Sequence, residues 1–132
     1  GEILICEGYA TGASLHMATE KPVAVALDSG NLEPVAKALR EKFPQAQITI
    51  CADNDHALKR NGKPYNVGME KAKAAALAVG GKVAAPVFNE EEKAKGLTDF
   101  NDLHKSRGIK EVQKQVGLSL LHDQGKTREL SL

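Results

Sequence analysis

Residues 48–62, ITICADNDHALKRNG, decide how this chain reads. An apolar run, Ile48 to Cys51, exits into two aspartates separated by one residue, Asp53 and Asp55, and then into a basic stretch. A polar turn after a buried strand is one account of that pattern. A divalent-metal site is the other: if the backbone stays extended, side chains two apart project to the same side and can face one ion.

The run is one of a set. Ile3–Cys6, Val23–Leu27 and Lys82–Val87 are also short, continuous and apolar, as strands covered on both faces must be. Helical patterns separate them. ATGASLHMATE follows the first strand. NLEPVAKALREKF follows the second, with Leu32, Val35, Leu39 and Phe43 at helical spacing and Pro34 tolerated in the first turn. VGMEKAKAAALAV follows the third, with Asn66 as the expected N-cap and Gly80–Gly81 as the stop. This alternation predicts an α/β domain with a mainly parallel four-stranded sheet flanked by helices. After it come a polar, punctuated segment and an amphipathic helix, IKEVQKQVGLSLL, with Ile109, Val112 and Val116 inward. The expected boundaries are one domain over residues 1–124 and a frayed tail over 125–132, the whole cut from a longer protein.

Bulk properties narrow the classes. A chain of 132 residues with 42% hydrophobic and 27% charged residues buries one ordinary core. The longest uninterrupted apolar run, Ala74 to Val79, is too short to cross a bilayer, and no secretory signal is visible, so a cytoplasmic location with no membrane partner is expected. Two cysteines, Cys6 and Cys51, lack the spacing of a four-ligand zinc site and sit inside apolar runs, where a buried reduced thiol is the default. The net charge of +1 decides nothing about nucleic acid.

Ligands of open parallel sheets collect at the C-terminal ends of the strands. Acids stand at three such ends: Glu7 after the first strand, Asp53 and Asp55 after the third, Asp99 and Asp102 beyond the fourth. Carboxylates from separate strands, with open positions left for phosphate oxygens, suit magnesium. Glu7 and the aspartates share a site only if the first and third strands are neighbours, which predicts the local order second–first–third. EGYATG matches neither the dinucleotide fingerprint nor the P-loop, although its helix N-terminus can face phosphate.

EGYATG after a first strand, ADND after a third and TDFNDLH further on resemble the Toprim domain shared by bacterial-type primases, topoisomerases, certain nucleases and recombination proteins. The likeness runs from Ile3 to about Leu103, and its wording is closest to primases of plasmids, conjugative elements and phages. It implies a Rossmann-like three-layer fold and template-directed joining of ribonucleotides. Glu7 would act as general acid or base and metal contact, Asp53 and Asp55 as catalytic metal ligands for Mg2+ or Mn2+, and Asp99 and Asp102 as further acids. It also implies a DNA template, nucleoside triphosphates and other domains of a parent primase, with a helicase as one candidate, as partners. Replicative primases often carry an aspartate where this chain has Thr11. A Toprim nuclease or topoisomerase, which cleaves strands with the same acids, and a non-catalytic scaffolding module are the alternatives; Tyr9 and Tyr65 are poorly placed to be a topoisomerase nucleophile.

The remaining polar residues divide between two readings. His56, Lys59, Arg60 and Lys63 either meet phosphates of nucleotide or template or form a solvated loop. Asp99 and Asp102 either extend the site or cap a short helix. Asp28 opens the next helix or turn. His16 and His104 read as surface or core residues. Lys105, Arg107, Lys110 and Lys114 either line a nucleic-acid path or form a solvated helix face. Aromatic residues are too few for a base-stacking platform.

Overall fold

The computed structural model describes residues 1–56, 59–64 and 66–117, with side chains left aside at 59, 60 and 64. Strands β1 (Glu2–Cys6), β2 (Val23–Val25), β3 (Gln47–Cys51) and β6 (Lys82–Ala84) form one sheet in the order β2-β1-β3-β6. Every neighbouring pair is parallel, and β1 runs in register with β3 from Glu2 beside Gln47 to Cys6 beside Cys51. The central position of β1 and β3 follows from their composition: Leu4, Ile5, Ile48 and Ile50 have no more than 1% of their surface exposed, so both faces need cover.

Alternation along the strands sorts that cover into two layers. Leu4, Cys6 and Cys51 face Leu15 of α1 (Tyr9–Thr19), Phe100 and Leu103 of α5 (Phe100–Arg107), and Val112 and Val116 of the helical segment 109–117. Ile5, Ile48 and Ile50 face Leu32 and Ala36 of α2 (Leu32–Lys42) and Ala72, Ala75 and Ala76 of α3 (Val67–Val79). The alanines let α3 approach the sheet closely. The outcome is a three-layer α/β/α fold. Among the described residues no helix is long and apolar enough to cross a membrane.

Several boundaries move from their sequence-based positions, each for a local reason. Phe43 does not complete the apolar stripe of α2. It lies one residue past the helix, 43% exposed, with the Lys42 ammonium 5.6 Å from its ring centroid. The fourth strand stops at Ala84 because Pro86 has no N–H to give a ladder. The second stops at Val25, and Leu27 turns into a left-handed conformation, φ +80°. The basic stretch after Asp55 is not purely a loop. Asn61 and Gly62, at φ +54° and +78°, join β4 (Lys59–Arg60) to β5 (Lys63–Pro64) as a two-residue hairpin. Tyr65, the last four residues of the expected helix 109–121, the end of the expected domain at 124 and the expected tail 125–132 lie outside the described residues.

A short helix, α4 (Glu90–Ala94), completes the fold and is bolted to α5 by one carboxylate. Glu92 closes the capping box with Asn89, accepts from Ser106 Oγ at 2.6 Å, and takes two donors of Arg107. Arg107 also reaches Glu111 at 3.7 Å, so this arginine braces helices rather than standing free for nucleic acid. The Arg107 guanidinium, with Ser106 and the Asn89 N–H, holds the Glu92 carboxyl down at about 2, from the ordinary 4.5. A carboxyl depressed by folding stabilises the fold fully above the unfolded value and loses that contribution as pH falls from about 4.5 toward 2. Glu92→Gln is therefore expected to lower the melting temperature by several degrees at pH 7 and by progressively less down to pH 2, measured by thermal denaturation across pH. An equal loss at both ends of the range would refute the assignment.

Candidate metal and nucleic-acid site

The β1–β3 register carries the site. Because Cys6 pairs with Cys51, the chain leaves both strands at one level, and Glu7 and Asp53 emerge side by side at the C-terminal edge of the sheet. Of the neighbouring charges, Glu7 acts most strongly on Asp53. Asp53 Oδ1 is buried with no hydrogen-bond partner. Burial first, then the Glu7 charge and a shared hydrogen bond with Glu7, then Asp99 and Asp55, push the Asp53 carboxyl up to about 8. Like charges crowded on one buried group disfavour the ionised form of Asp53, and a positive charge at the site would relieve that conflict.

Asp55 is fastened differently. Its Oδ2 accepts the Gly68 N–H at 2.7 Å, in the first turn of α3, where the helix dipole favours an anion. A Cβ at Gly68 would stand 2.4 Å from the Asp53 carbonyl oxygen and 2.8 Å from Asp55 Oδ2, so only glycine lets the helix come this near. The loop between the aspartates is held from three sides. Asn66 Oδ1 accepts the Asp55 N–H at 2.9 Å, and its Nδ2 donates to Asn54 Oδ1 at 2.7 Å. Asn54 donates its Nδ2 to the Pro86 carbonyl at 2.9 Å and its N–H to the Thr98 carbonyl at 2.6 Å.

The two later acids have different surroundings. Asp99 acts on Asp53 and on Cys6, whereas Asp102 does not figure among the charges raising Asp53. Asp102 Oδ2 instead accepts the N–H groups of Thr98 at 2.9 Å and Asp99 at 3.3 Å, while its own N–H bonds Asp99 Oδ1 at 2.8 Å. The pair is thus a capping box for α5, and Asp99 does both jobs. Burial raises the Asp99 carboxyl, offset in part by the Asp102 N–H and the Thr11 hydroxyl.

The neighbouring residues have defined positions. His56 donates Nε2–H to the Leu97 carbonyl at 2.8 Å and meets Phe88 edge-on, which leaves only Nδ1 for a phosphate. Lys59, Arg60 and Lys63 belong to the β4–β5 hairpin that follows the acid loop. Asp28 caps the 3₁₀ turn Ser29–Asn31, accepting the Asn31 N–H at 3.0 Å. His104 Nδ1 pairs with Ser14 Oγ at 2.9 Å and His16 Nδ1 with the Lys21 carbonyl at 2.8 Å. Cys6 lies under the acids, its thiol pushed up to about 12 by burial and by Asp53, Asp99 and Glu7, and Cys51 is raised as well. Neither thiol is a ligand or a nucleophile in that state.

Among the described residues no three His, Cys, Asp or Glu side chains already converge in a metal-holding arrangement. The donor set nonetheless fits a hard dication: an unpartnered buried carboxylate oxygen, a second carboxylate against it, and two more acids acting on the same point. Magnesium takes few protein oxygens and keeps several waters. Sequence reasoning missed Asn54 and Gly68 as supports of the acid loop. The visible signals were a glycine directly after a helix-opening Asn-Val and an amide between two aspartates, neither of which specifies its partner.

An Asp whose carboxyl holds its proton to higher pH in the folded chain than the unfolded 3.8 disfavours folding as pH rises, with the loss accruing from about pH 4 to about pH 8. In chelator, Asp53→Asn is expected to raise the melting temperature by a few degrees at pH 8 and to leave it unchanged near pH 4. Adding Mg2+ at pH 8 should stabilise the wild type and not this variant. A pH-independent difference would rule out the like-charge account. Gly68→Ala should displace Asp55 and lower both the melting temperature and the Mg2+ response in the same assay.

The fold and the acid edge can be set beside known proteins. The family model described as Toprim domain matches residues 2–110. A DNA primase TraC of Escherichia coli is 48% identical over 91 residues, 68% of this chain and 6% of that protein. A second Escherichia coli protein of the same name is 42% identical over 92 residues, 70% of this chain and 9% of its own length. The chain thus spans less than a tenth of the length of these curated relatives. No solved structure matches. The chain belongs to the Toprim domain family.

Proposed function

We propose that this chain is the metal-binding catalytic domain of a DNA primase, making RNA primers on a DNA template within a larger parent protein that works in the cytoplasm. The observation that carries the reading is the buried, unpartnered Asp53 oxygen set against Glu7 across two adjacent parallel strands. The likeness to two proteins named DNA primase TraC supports the choice of reaction over strand cleavage or scaffolding.

Toprim domains generally bind divalent metal ions. Here Glu7, Asp53, Asp55 and Asp99 would hold Mg2+ or Mn2+, which when bound neutralises phosphate charge and activates a hydroxyl for attack on an α-phosphate. The chain's own groups do the rest. Glu7, beside Asp53, accepts or returns the hydroxyl proton. The first turn of α1, whose N-cap Gly8 offers no side-chain acceptor, presents its N–H groups to phosphate. Cations on the β4–β5 hairpin and His56 Nδ1 meet phosphates of nucleotide or template. The other domains of the parent supply the remaining contacts to template and nucleoside triphosphate.

Asp53→Ala with Asp55→Ala in the parent protein is expected to reduce primer synthesis by about 100-fold or more while the circular dichroism spectrum is unchanged. Wild-type primer yield from the double variant would end this reading.

A further inference from the structure

We propose that the outer edge of β2, which has an apolar groove on either face, seats an extended apolar segment of the parent polypeptide as a further strand of the sheet. The inference goes beyond the reading of the acids and needs no metal there.

Strand β2 lies outermost on its side of the sheet, paired with β1. Two bonds fix which of its backbone groups face inward. The Leu4 N–H donates to the Pro22 carbonyl at 3.0 Å, and the Ala26 N–H donates to the Cys6 carbonyl at 2.9 Å. The N–H and C=O of one strand residue share a side, and the side alternates along the strand. Pro22, Ala24 and Ala26 therefore face β1, while Val23 and Val25 turn theirs outward. No described residue bonds those outward groups, and backbone groups set among apolar side chains need partners. The usual guards of a sheet edge are missing here among the described residues. Lys21 is drawn into an ion pair with Glu2 of β1, Pro22 has its missing N–H on the β1 side, and Asp28 caps the 3₁₀ turn. The opposite edge is guarded: β6 opens on Lys82, and beyond it Gln115 Oε1 accepts the Val87 N–H at 2.8 Å.

Two cavities flank this strand and share Pro22 and Val23. On the α1 face, Tyr9, Ala13 and His16 wall a groove of about 370 Å3 beside Val23 and Val25. Tyr9, Ala13 and Met17 recur at every fourth residue of that helix, with Tyr9 79% and Met17 62% exposed. On the α2 face, Ile3, Leu39, Phe43 and Ala46 wall a groove of about 320 Å3 beside Ala24. Phe43, left off the α2 stripe, thus has a place. An added strand satisfies the outward backbone groups and sends alternate side chains to the two faces, one set for each groove. The length of β2 selects the occupant. Three residues make too few ladder bonds to hold a separate molecule, whereas a segment of the same polypeptide arrives at a roughly millimolar effective concentration. In the curated relatives the matching stretch is 6% and 9% of the length, so most of such a polypeptide lies outside it. The α1-side groove opens at Tyr9, two residues after Glu7, and a domain continuing from the docked strand would stand beside the acid edge.

The test compares residue-resolved amide hydrogen exchange in the 132-residue chain and in the parent protein. In the chain alone, Val23 and Val25 should exchange fast while Ala26, bonded to Cys6, exchanges slowly. In the parent, Val23 and Val25 should slow by about 100-fold or more. Val25→Pro removes an outward N–H and no bond to β1; in the parent it should return Val23 to its rate in the chain alone and leave Leu4 unchanged. Where Leu4 also speeds up and the fold has suffered, Ala13→Lys, which puts a charge in the α1-side groove, is read with the same expectation. Fast exchange at Val23 and Val25 in the parent overturns the proposal, as does protection there that neither variant lowers. Protection in the chain alone overturns it too, in favour of a second copy if it rises with concentration and of residues 118–132 if it does not. Primer synthesis and Mg2+ have no part in this readout, so its failure leaves the reading of the acids standing.

Discussion

The in-register pairing of β1 with β3 brings the exits of two strands, and with them Glu7 and Asp53, to one edge of the sheet. Each step from Glu2–Gln47 to Cys6–Cys51 keeps the strands level, so the residues that follow cannot avoid each other. A shift by one residue would send Asp53 to the opposite face of the sheet and take Asp55 with it. The apolar ladder beneath prevents that slip, because Leu4 and Cys6 must stay on the α1–α5 side while Ile5 and Ile50 stay on the α2–α3 side. The core thus enforces an electrostatic conflict that a protein optimised only for stability would remove.

Around that conflict the polar groups form a frame in which few parts serve one purpose. Asn66 caps α3, anchors Asp55 and orients Asn54; Asn54 spans from the β6 exit to the α5 cap. Asp99 and Asp102 lock α5 through reciprocal N–H bonds, and the Asp99 charge also acts on Asp53. The acids are thereby placed on helix ends and strand ends rather than on free loop, the kind of support that fixes side chains best.

The legible part of this molecule was what periodicity and strand-end chemistry encode. Continuous runs such as ITIC announced buried parallel strands, and the need for Glu7 to meet Asp53 implied the observed second–first–third order. The division of labour between Asp99 and Asp102 was not legible, since both sit at helix-cap spacing and the direction of a side chain depends on tertiary neighbours. The role of Gly68 was hidden for the same reason: it is defined by Asp53 and Asp55 on a different element. Asn61-Gly62, by contrast, carried a hairpin signal that a reading centred on charge passed over.

The two sulfur atoms beneath the acids have a chemical consequence. Cys6 gives its hydrogen to the Gly8 carbonyl, Cys51 is fully enclosed, and both keep their protons far above neutrality. Peroxide and alkylating reagents are attacked by the thiolate, not the thiol, so these side chains are inert although they lie directly under the acids. Redox tone in the cell leaves the floor of the site untouched.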